Sequence, residues 1–226
     1  MKKLLKFDRT KYKYVFLSDL HIGHDREFLW KPRGFKTVQE HDDFIFKNWN
    51  EHIDDNTIVF NLGDATFMDA DSEKFERLSK MECKEHYLLW GNHCSGQMSA
   101  YKKSKDLMGY SKDLEVYPLK HNNVTFVGND MCVRFGKKIE IHLSHFAKRI
   151  WDHVGYGAIH LSGHSHSNDP ERLIEHKKGK CMDVGVENSI RYNGNIFFTL
   201  DEILNIMETK ERDVKDHHNN QVGRSS

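Results

Sequence analysis

Short apolar runs separated by polar turns dominate the hydrophobic pattern of this chain. Continuous runs of β-branched and aromatic residues indicate strands that are covered on both faces. The runs occupy residues 14–18, 58–62, 87–90, 139–144 and 158–162. Each run ends just before side chains that can bind a cation. The pattern therefore predicts a sheet whose strand ends present polar groups.

Helical spacing appears between these runs. Apolar residues recur every three or four positions from Val38 to His52, and Thr37 with Glu40 makes a capping-box pattern before them. The same spacing predicts helices near residues 75–81 and 98–108. On the helix over residues 38–52, His41 and His52 are interpreted as packing or rim residues and not as ligands.

The character of the chain changes in its second half. Residues 114–144 read as short strands with hairpin signals, which predicts a second, antiparallel sheet. Residues 181–186 and 195–200 are predicted to be closing strands, before a final helix over residues 201–207 that begins at Asp201. Strand and helix alternation followed by clustered strands indicates an α/β fold with two sheets in its core.

Length and composition limit the organisation of the chain and its partners. The 226 residues suit a single domain, which we expect over residues 1–207 before a polar, frayed tail over residues 208–226. Lys and Arg total 34 and Asp and Glu total 34, so no broad attraction to nucleic acid or to an acidic membrane is indicated. The sequence does not indicate an oligomeric state.

Cysteine usage and the amino terminus predict the compartment. The four cysteines contain no Cys-x-x-Cys pair, which argues against a thiolate zinc site and against a disulfide framework. The first residues carry charge without a sustained apolar stretch, and no segment has the length of a membrane span. We therefore expect a cytoplasmic protein without a membrane partner.

Histidine is the unusual component, with 16 residues, and several lie at strand ends. Two side chains at positions i and i+2 of an extended segment point the same way, so each such pair can reach one cation. The candidates are Asp19 and His21, Asp64, Asn92 and His93, His145, and His164 with His166. Each group by itself is also compatible with an ordinary turn, for which Asp, Asn and Gly are common residues.

The order of these groups is more specific than any one of them. Asp-x-His, Gly-Asp, Gly-Asn-His, a lone His and Gly-His-x-His, each after a strand, resemble the calcineurin-like metallophosphoesterase superfamily between residues 14 and about 186. The motifs are most similar to a small branch of predicted phosphoesterases from bacteria and their phages. The resemblance implies an α/β/β/α sandwich with two divalent cations, of which Mn is the first expectation and Fe, Ni or Zn the others.

The same resemblance implies a role for each matching residue. Asp19, His21, Asp64 and His166 would hold the first cation, and Asp64, Asn92, His145 and His164 the second. A hydroxide bridging the two cations would attack phosphorus in line. His93 would steady the developing charge or protonate the leaving oxygen, and Asn92 and His93 would contact the substrate.

One position departs from the family pattern, and one loop residue adds a substrate contact. The family usually places Asp or Glu after Gly-Asn-His, where this chain has Cys94, a weak hydrogen-bond partner. We therefore expect His93 to protonate the leaving group more slowly, or another residue such as His24 to protonate it instead. Arg33 aligns with a loop near the site in relatives, so it is a predicted phosphate contact.

Three functions are compatible with these residues. The first is a metal-dependent phosphohydrolase acting on a small phosphodiester or nucleotide, and it is the one that we favour. The second is a nuclease of the same fold, against which the balanced charge argues. The third is a non-catalytic interaction scaffold, against which the complete set of eight ligand positions argues.

Overall fold

Two sheets pack face to face in the computed structural model, which describes residues 4–67, 73–93 and 119–212. The strands of these residues are β1 (Leu4–Phe7), β2 (Lys13–Leu17), β3 (Thr57–Asn61), β4 (Glu85–Leu88), β5 (Leu119–His121), β6 (Val124–Phe126), β7 (Asp130–Phe135), β8 (Ile139–Ser144), β9 (Ile159–Ser162), β10 (Cys181–Asp183) and β11 (Phe198–Thr199). The helices are α1 (Glu27–Trp30), α2 (Val38–His52), α3 (Glu73–Ser79), α4 (Val186–Asn193) and α5 (Leu200–Glu208). The two-sheet α/β sandwich predicted above is thereby confirmed.

Parallel pairing sets the direction of most strands. The first sheet has the order β11-β2-β3-β4-β6-β5, and β2, β3, β4 and β6 run parallel. The second sheet has the order β1-β7-β8-β9-β10, in which only β7 and β8 pair antiparallel. Because parallel strands end at the same edge of a sheet, the segments after β2, β3 and β4 meet, as do those after β8, β9 and β10.

Side chains of β2 show how the core is divided. Tyr14 and Phe16 face the second sheet and pack in the core between the two sheets. Val15 and Leu17 point the other way, into the core beneath α2, α3 and α4. The alternation follows from the two-residue period of a strand, and both faces are buried, as a continuous apolar run predicts.

Helix α2 has the bounds that its sequence pattern predicts. Thr37 Oγ1 accepts the Glu40 amide at 3.1 Å, and Trp49 is fully buried. The Glu40 carboxylate bonds the Lys36 amide at 2.8 Å instead of the Thr37 amide, so the reciprocal capping bond is displaced by one residue. This helix anchors one outer face of the first sheet.

Other sequence expectations need correction. The strands predicted for residues 114–144 do not form one sheet, because the β5–β6 hairpin extends the first sheet and only β7 and β8 lie in the second. The strand predicted for residues 181–186 ends at Asp183 as β10, and residues 186–193 form α4. Strand β1 was not predicted. Helix α5 is capped by Thr199 in a capping box with Glu202, so Asp201 is not its cap.

The predicted helix over residues 98–108 and most of the predicted tail lie outside the described residues. Within the described part of that tail, Lys210 is buried, and its Nζ donates to the carbonyls of Leu173 at 3.0 Å and His176 at 2.6 Å. The single-domain assignment of residues 1–207 stays a prediction. No helix in the described ranges has both the length and the apolar character needed to cross a membrane.

Buried His86 on β4 makes folding sensitive to acid. Its ring packs against Trp49, and neither ring nitrogen has a hydrogen-bond partner among the described residues. Burial lowers its pKa from 6.5 to about 3. Between these values the unfolded chain takes up a proton that the folded chain does not, so the free energy of unfolding falls as the pH falls, by up to about 1.4 kcal/mol per pH unit.

Replacement of His86 by leucine is expected to remove this part of the acid sensitivity. Leucine has a similar volume and no polar atom to leave unpaired, so stability at neutral pH should rise by about 1 kcal/mol. The gain should grow as the pH is lowered from about 7 to about 5, measured by urea unfolding. His52→Gln, at the exposed end of α2, is the control. If the unfolding free energies of wild type and His86→Leu depend on pH in the same way, His86 does not cause this acid sensitivity.

Candidate metal centre

Strand ends from both sheets meet at one site. The first sheet contributes residues that follow β2, β3 and β4, and the second contributes residues that follow β8 and β9. The Asp19, His21 and His166 ligand atoms lie within 4.8 Å of one another, as do those of Asp19, Asp64 and His145. The fold thus brings together candidate ligands that are up to 147 positions apart in the chain.

The backbone is strained where these ligands are held. Residues other than glycine rarely adopt a positive φ, because each costs about 1–2 kcal/mol. Five predicted ligands do so, namely Asp19 (59°), His21 (48°), Asp64 (50°), His164 (69°) and His166 (47°). Such concentration of left-handed residues at one place is typical of a functional site.

Asp19 is fully buried and uses its two oxygens differently. Its Oδ2 accepts the backbone amide of His164 at 2.9 Å. Its Oδ1 lies 3.7 Å from His21 Nε2 and 3.9 Å from His166 Nε2, which is too long for hydrogen bonds. One oxygen is therefore held by the protein and the other is directed at two imidazoles.

Asp64 repeats this division between its oxygens. Its Oδ1 accepts the His93 amide at 2.8 Å, and its Oδ2 lies 3.7 Å from His21 Nε2 and 3.4 Å from His145 Nε2. Asp64 Oδ2 thus stands between the two imidazoles, each of which belongs to a different predicted ligand set. This is the position that a shared ligand of two cations requires.

Hydrogen bonds on the far side of two histidine rings fix their tautomers. His145 Nδ1–H donates to the Leu62 carbonyl at 3.0 Å, since a carbonyl can only accept. His166 Nδ1 lies 2.8 Å from Glu187 Oε1. In each neutral ring Nε2 therefore presents its lone pair to the site, which is the usual arrangement of metal-binding histidines.

The donor atoms fit a cation and do not satisfy one another. Asp19 Oδ1 and both ring nitrogens of His21 are buried without a hydrogen-bond partner in the part of the chain that the structure describes. His145 Nε2 lies 2.9 Å from Asn92 Oδ1, so two acceptors face each other when the ring is neutral. Unpaired buried polar atoms are costly, and a cation among them removes that cost.

Charges in the site attract cations strongly. Burial raises the pKa of Asp19, but His21, His145 and His166 outweigh it and hold that pKa below its ordinary range. Burial lowers the pKa of His145, but Asp64 and Asp19 outweigh it and raise that pKa above 6.5. The carboxylates therefore stay ionised, and positive charge on His145 and His166, whose pKa values neighbouring carboxylates raise, compensates for them in the absence of metal, whereas burial lowers the pKa of His21.

The remaining predicted residues occupy the rim of the site. The His164 ring centre lies 5.2 Å from that of His145, and the His93 ring centre lies 5.4 Å from that of His21. His24 is buried between Phe28 and Phe67, with its Nδ1 accepting the Arg26 amide at 3.3 Å. Burial, with His21 and His93, lowers the pKa of His24 to about 4.

Arg33 does not have the placement predicted for a phosphate contact. Its side chain is 0% exposed, and its guanidinium makes four hydrogen bonds and one further ion-pair contact, with Glu187. The acceptors are the carbonyls of Asp19 and Leu20, His41 Nε2 and Glu187 Oε1. Arg33 therefore supports the backbone beneath Asp19 and cannot reach substrate without breaking these bonds.

Two acidic residues of the site were missed by the sequence analysis. Burial, followed by the charge of Asp19, raises the pKa of Asp183 to about 6. Burial also raises the pKa of Glu187, but Arg33 and His166 outweigh it and hold the pKa at about 2. Asp183 ends β10, so the strand-end rule that found the other candidates would have found it, whereas Glu187 on α4 follows no such pattern.

Glu187→Gln is expected to weaken binding of divalent cations about 10- to 100-fold. The amide keeps the shape, but it removes the charge that orients His166 and neutralises Arg33. Calorimetric titration of metal-free protein with Mn²⁺ measures the effect. Glu175→Gln, which breaks an exposed pair with Arg191, is the matched control and should bind Mn²⁺ as wild type does. Equal affinities for all three proteins would contradict the orienting role of Glu187.

Comparisons with known proteins establish the fold and leave the activity open. A protein of unknown function from Aquifex aeolicus aligns with a TM-score of 0.55 at 17% identity, over 86% of this chain and 99% of that one. This chain shares its fold. A candidate diadenosine tetraphosphatase aligns with a TM-score of only 0.36 at 11% identity, over 88% of this chain and 98% of that one.

The sequence comparison also gives no function. An uncharacterized protein of Methanocaldococcus jannaschii is 31% identical over 81 residues, which is 36% of this chain. The chain covers 46% of the length of that relative. No family model matches the chain.

Proposed function

We propose that the protein is a metal-dependent phosphohydrolase that cleaves small phosphodiesters or nucleotides. The observation that carries the proposal is the placement of Asp64 Oδ2, 3.7 Å from His21 Nε2 and 3.4 Å from His145 Nε2. One carboxylate oxygen is thereby shared between two groups of candidate ligands. Two adjacent cations suit phosphoryl transfer, because both the attacking and the leaving oxygen carry charge.

The sequence motifs supply the ligands that complete each of the two groups. Asp19, His21, Asp64 and His166 would hold one cation, and Asp64, Asn92, His145 and His164 the other. Mixed carboxylate, imidazole and amide donors suit Mn²⁺ first, and also Fe, Ni or Zn. Bound there, the cations would neutralise phosphate oxygens and lower the pKa of water.

The side chains around the cations would orient the substrate and move protons. His93 lies on the exposed side of the site, and its backbone is held by the bond from its amide to Asp64 Oδ1. In that position its ring can donate a proton to a leaving oxygen. In the neutral ring of His24 the proton resides on Nε2, because Nδ1 accepts the Arg26 amide. His24 can therefore donate a hydrogen bond to a phosphate oxygen.

The weak point of this mechanism is the support of the His93 ring. Cys94 lies outside the described residues, so slower leaving-group protonation by His93 stays a prediction. If turnover by Cys94→Asp equals that of wild type, that prediction is wrong.

Exposed aromatic rings around the site favour a substrate with a flat apolar part. Phe28 is 71% exposed, Phe67 38% and Phe146 52%. Phe28 and Phe67 contact His24, and Phe146 contacts His145 and His164, with ring centres 4.7–5.1 Å apart in the latter two pairs. Exposed aromatic faces stack on nucleobases at about 1–3 kcal/mol per base. A nucleotide ester is therefore the preferred small substrate.

Hydrolysis of chromogenic esters tests the proposal. Metal-free protein is assayed with a bis(aryl) phosphodiester, an aryl phosphomonoester, a nucleoside aryl phosphodiester and single-stranded DNA, each with Mn²⁺, Fe²⁺, Ni²⁺ or Zn²⁺. We expect cleavage of the diesters that requires metal, and the highest kcat/KM for the nucleoside ester. Preference for single-stranded DNA would support the nuclease alternative. No cleavage of any substrate with any metal would contradict an enzymatic function and favour the scaffold.

A further inference from the structure

A second group of metal-binding side chains lies on the outer face of the second sheet. Cys132 of β7 pairs with His142 of β8, and Arg134 pairs with Glu140 one step further along the same face. The intervening residues Val133 and Ile141 point into the core between the sheets. The alternation of the two strands therefore places the thiol, the imidazole and the carboxylate together, away from the core.

Distances within this group match a small cation. The Cys132, Glu140 and His142 ligand atoms lie within 4.8 Å of one another. Cys132 Sγ is 3.8 Å from His142 Nε2, and His142 Nε2 is 3.1 Å from Glu140 Oε1. Around a tetrahedral zinc ion with bonds of about 2.0–2.3 Å, neighbouring ligand atoms are about 3–4 Å apart.

A fourth donor comes from the segment between β8 and β9. His153 Nδ1 lies 2.7 Å from the same Glu140 Oε1, and its side chain is 57% exposed. His153 also has a left-handed backbone, with φ of 59°. The exposure leaves a path by which a cation can enter, and it leaves the His153 side chain room to move toward Cys132 and His142, which coordination would require because His153 is not among the ligand atoms that lie within 4.8 Å of one another.

Arg134 gives this group an orienting partner. Its guanidinium binds Glu140 Oε2, so Glu140 Oε1 is the oxygen that faces both histidines. Ligating carboxylates are commonly held in this way by a hydrogen bond on their other oxygen. We propose that Cys132, Glu140, His142 and His153 form a mononuclear zinc site that fastens the segment carrying His153 to β8.

The donor set distinguishes this site from the candidate metal centre. A thiolate with two imidazoles and one carboxylate favours zinc, whereas the other centre offers carboxylates, imidazoles and an amide. Binding would convert the Cys132 thiol to a thiolate and release its proton to solvent. The site is structural, because its four donors leave no position for substrate.

Cobalt is a probe that separates the two sites. A thiolate bound to Co²⁺ gives an intense charge-transfer absorption in the near ultraviolet, which carboxylate, imidazole and amide ligands do not give. The full-length, metal-free protein titrated with Co²⁺ should show this band. Cys132→Ser should abolish the band and keep metal-stimulated esterase activity. Cys181→Ser, at another buried cysteine, should keep the band.

Two further variants keep the proposal open to contradiction. Cys94→Ser should retain the band, and its loss there would assign the thiolate to Cys94 and overturn the proposal. His153→Gln alters an exposed side chain, and it should raise at least about 10-fold the Co²⁺ concentration that gives half of the thiolate band, a readout to which the candidate metal centre does not contribute. Absence of the band in wild type, or a Co²⁺ dependence of the band in His153→Gln equal to that of wild type, would also overturn it.

Discussion

Asp64→Asn is expected to lower metal-stimulated phosphodiester cleavage about a thousand-fold. The amide oxygen can still accept the His93 amide, so the fold around residue 64 should persist. The amide NH₂ group then replaces Oδ2 and faces His21 Nε2 and His145 Nε2. It lies close enough to donate to His145 Nε2, and it would occupy the space between the two nitrogens that a cation needs.

Asp64→Asn should also change the stability of the protein. Metal-free Asp64→Asn should melt below the temperature of the metal-free wild type, because the carboxylate that raises the pKa of His145 and balances its charge is lost. The thermal stabilisation caused by Mn²⁺ should be lost. Asp43→Asn, on the exposed face of α2, is the matched control and should keep both activity and the Mn²⁺ response. Full Mn²⁺ stabilisation of Asp64→Asn would contradict the shared-ligand assignment.

Gly163→Ala is expected to damage the same centre through packing. A Cβ at residue 163 would collide with Ser18 Oγ and Asp19 Oδ2, so the backbone after β9 or the Asp19 carboxylate must move. Overpacking of this kind costs about 1–3 kcal/mol of unfolding free energy. Displacement of Asp19 by about 1 Å should also reduce turnover about 100-fold.

Urea unfolding and esterase kinetics on the same preparation separate the two effects. Gly136→Ala, in the turn between β7 and β8, is the control, because a Cβ there meets nothing within 4 Å. That control should lose only about 1 kcal/mol, from its left-handed φ of 62°, and keep full activity. Wild-type activity in Gly163→Ala would show that the close approach to Asp19 is unnecessary.

Local patterns predicted the elements that depend on neighbouring residues. Helix α2 has the predicted bounds, since a cap and an apolar stripe suffice to specify a helix. The pairing of β6 with β4 was not predictable in this way, because Val124 and His86 become neighbours only when the chain returns to the first sheet. The described part of the predicted segment, residues 119–144, is therefore divided between the two sheets against expectation.

In the candidate site, too, contacts between distant parts of the chain were not predictable from local sequence. Arg33 was placed near the site by motif, but its four hydrogen bonds and its ion pair with Glu187 turn it away from substrate. Glu187 carried no local signal, and it matters only because α4 brings it to His166 and Arg33. Residues that support ligands from behind have no required spacing from them in the chain.

By itself, the sequence determined which residues are candidate ligands. A strand end projects the residues that follow it toward one edge of a sheet, so the type and order of polar groups after each apolar run were enough to name the candidate ligands. The tertiary structure alone decided which oxygen of Asp64 faces the imidazoles and which faces an amide. It also decided that Cys132 meets His142, because pairing between strands, and not spacing along the chain, sets such contacts.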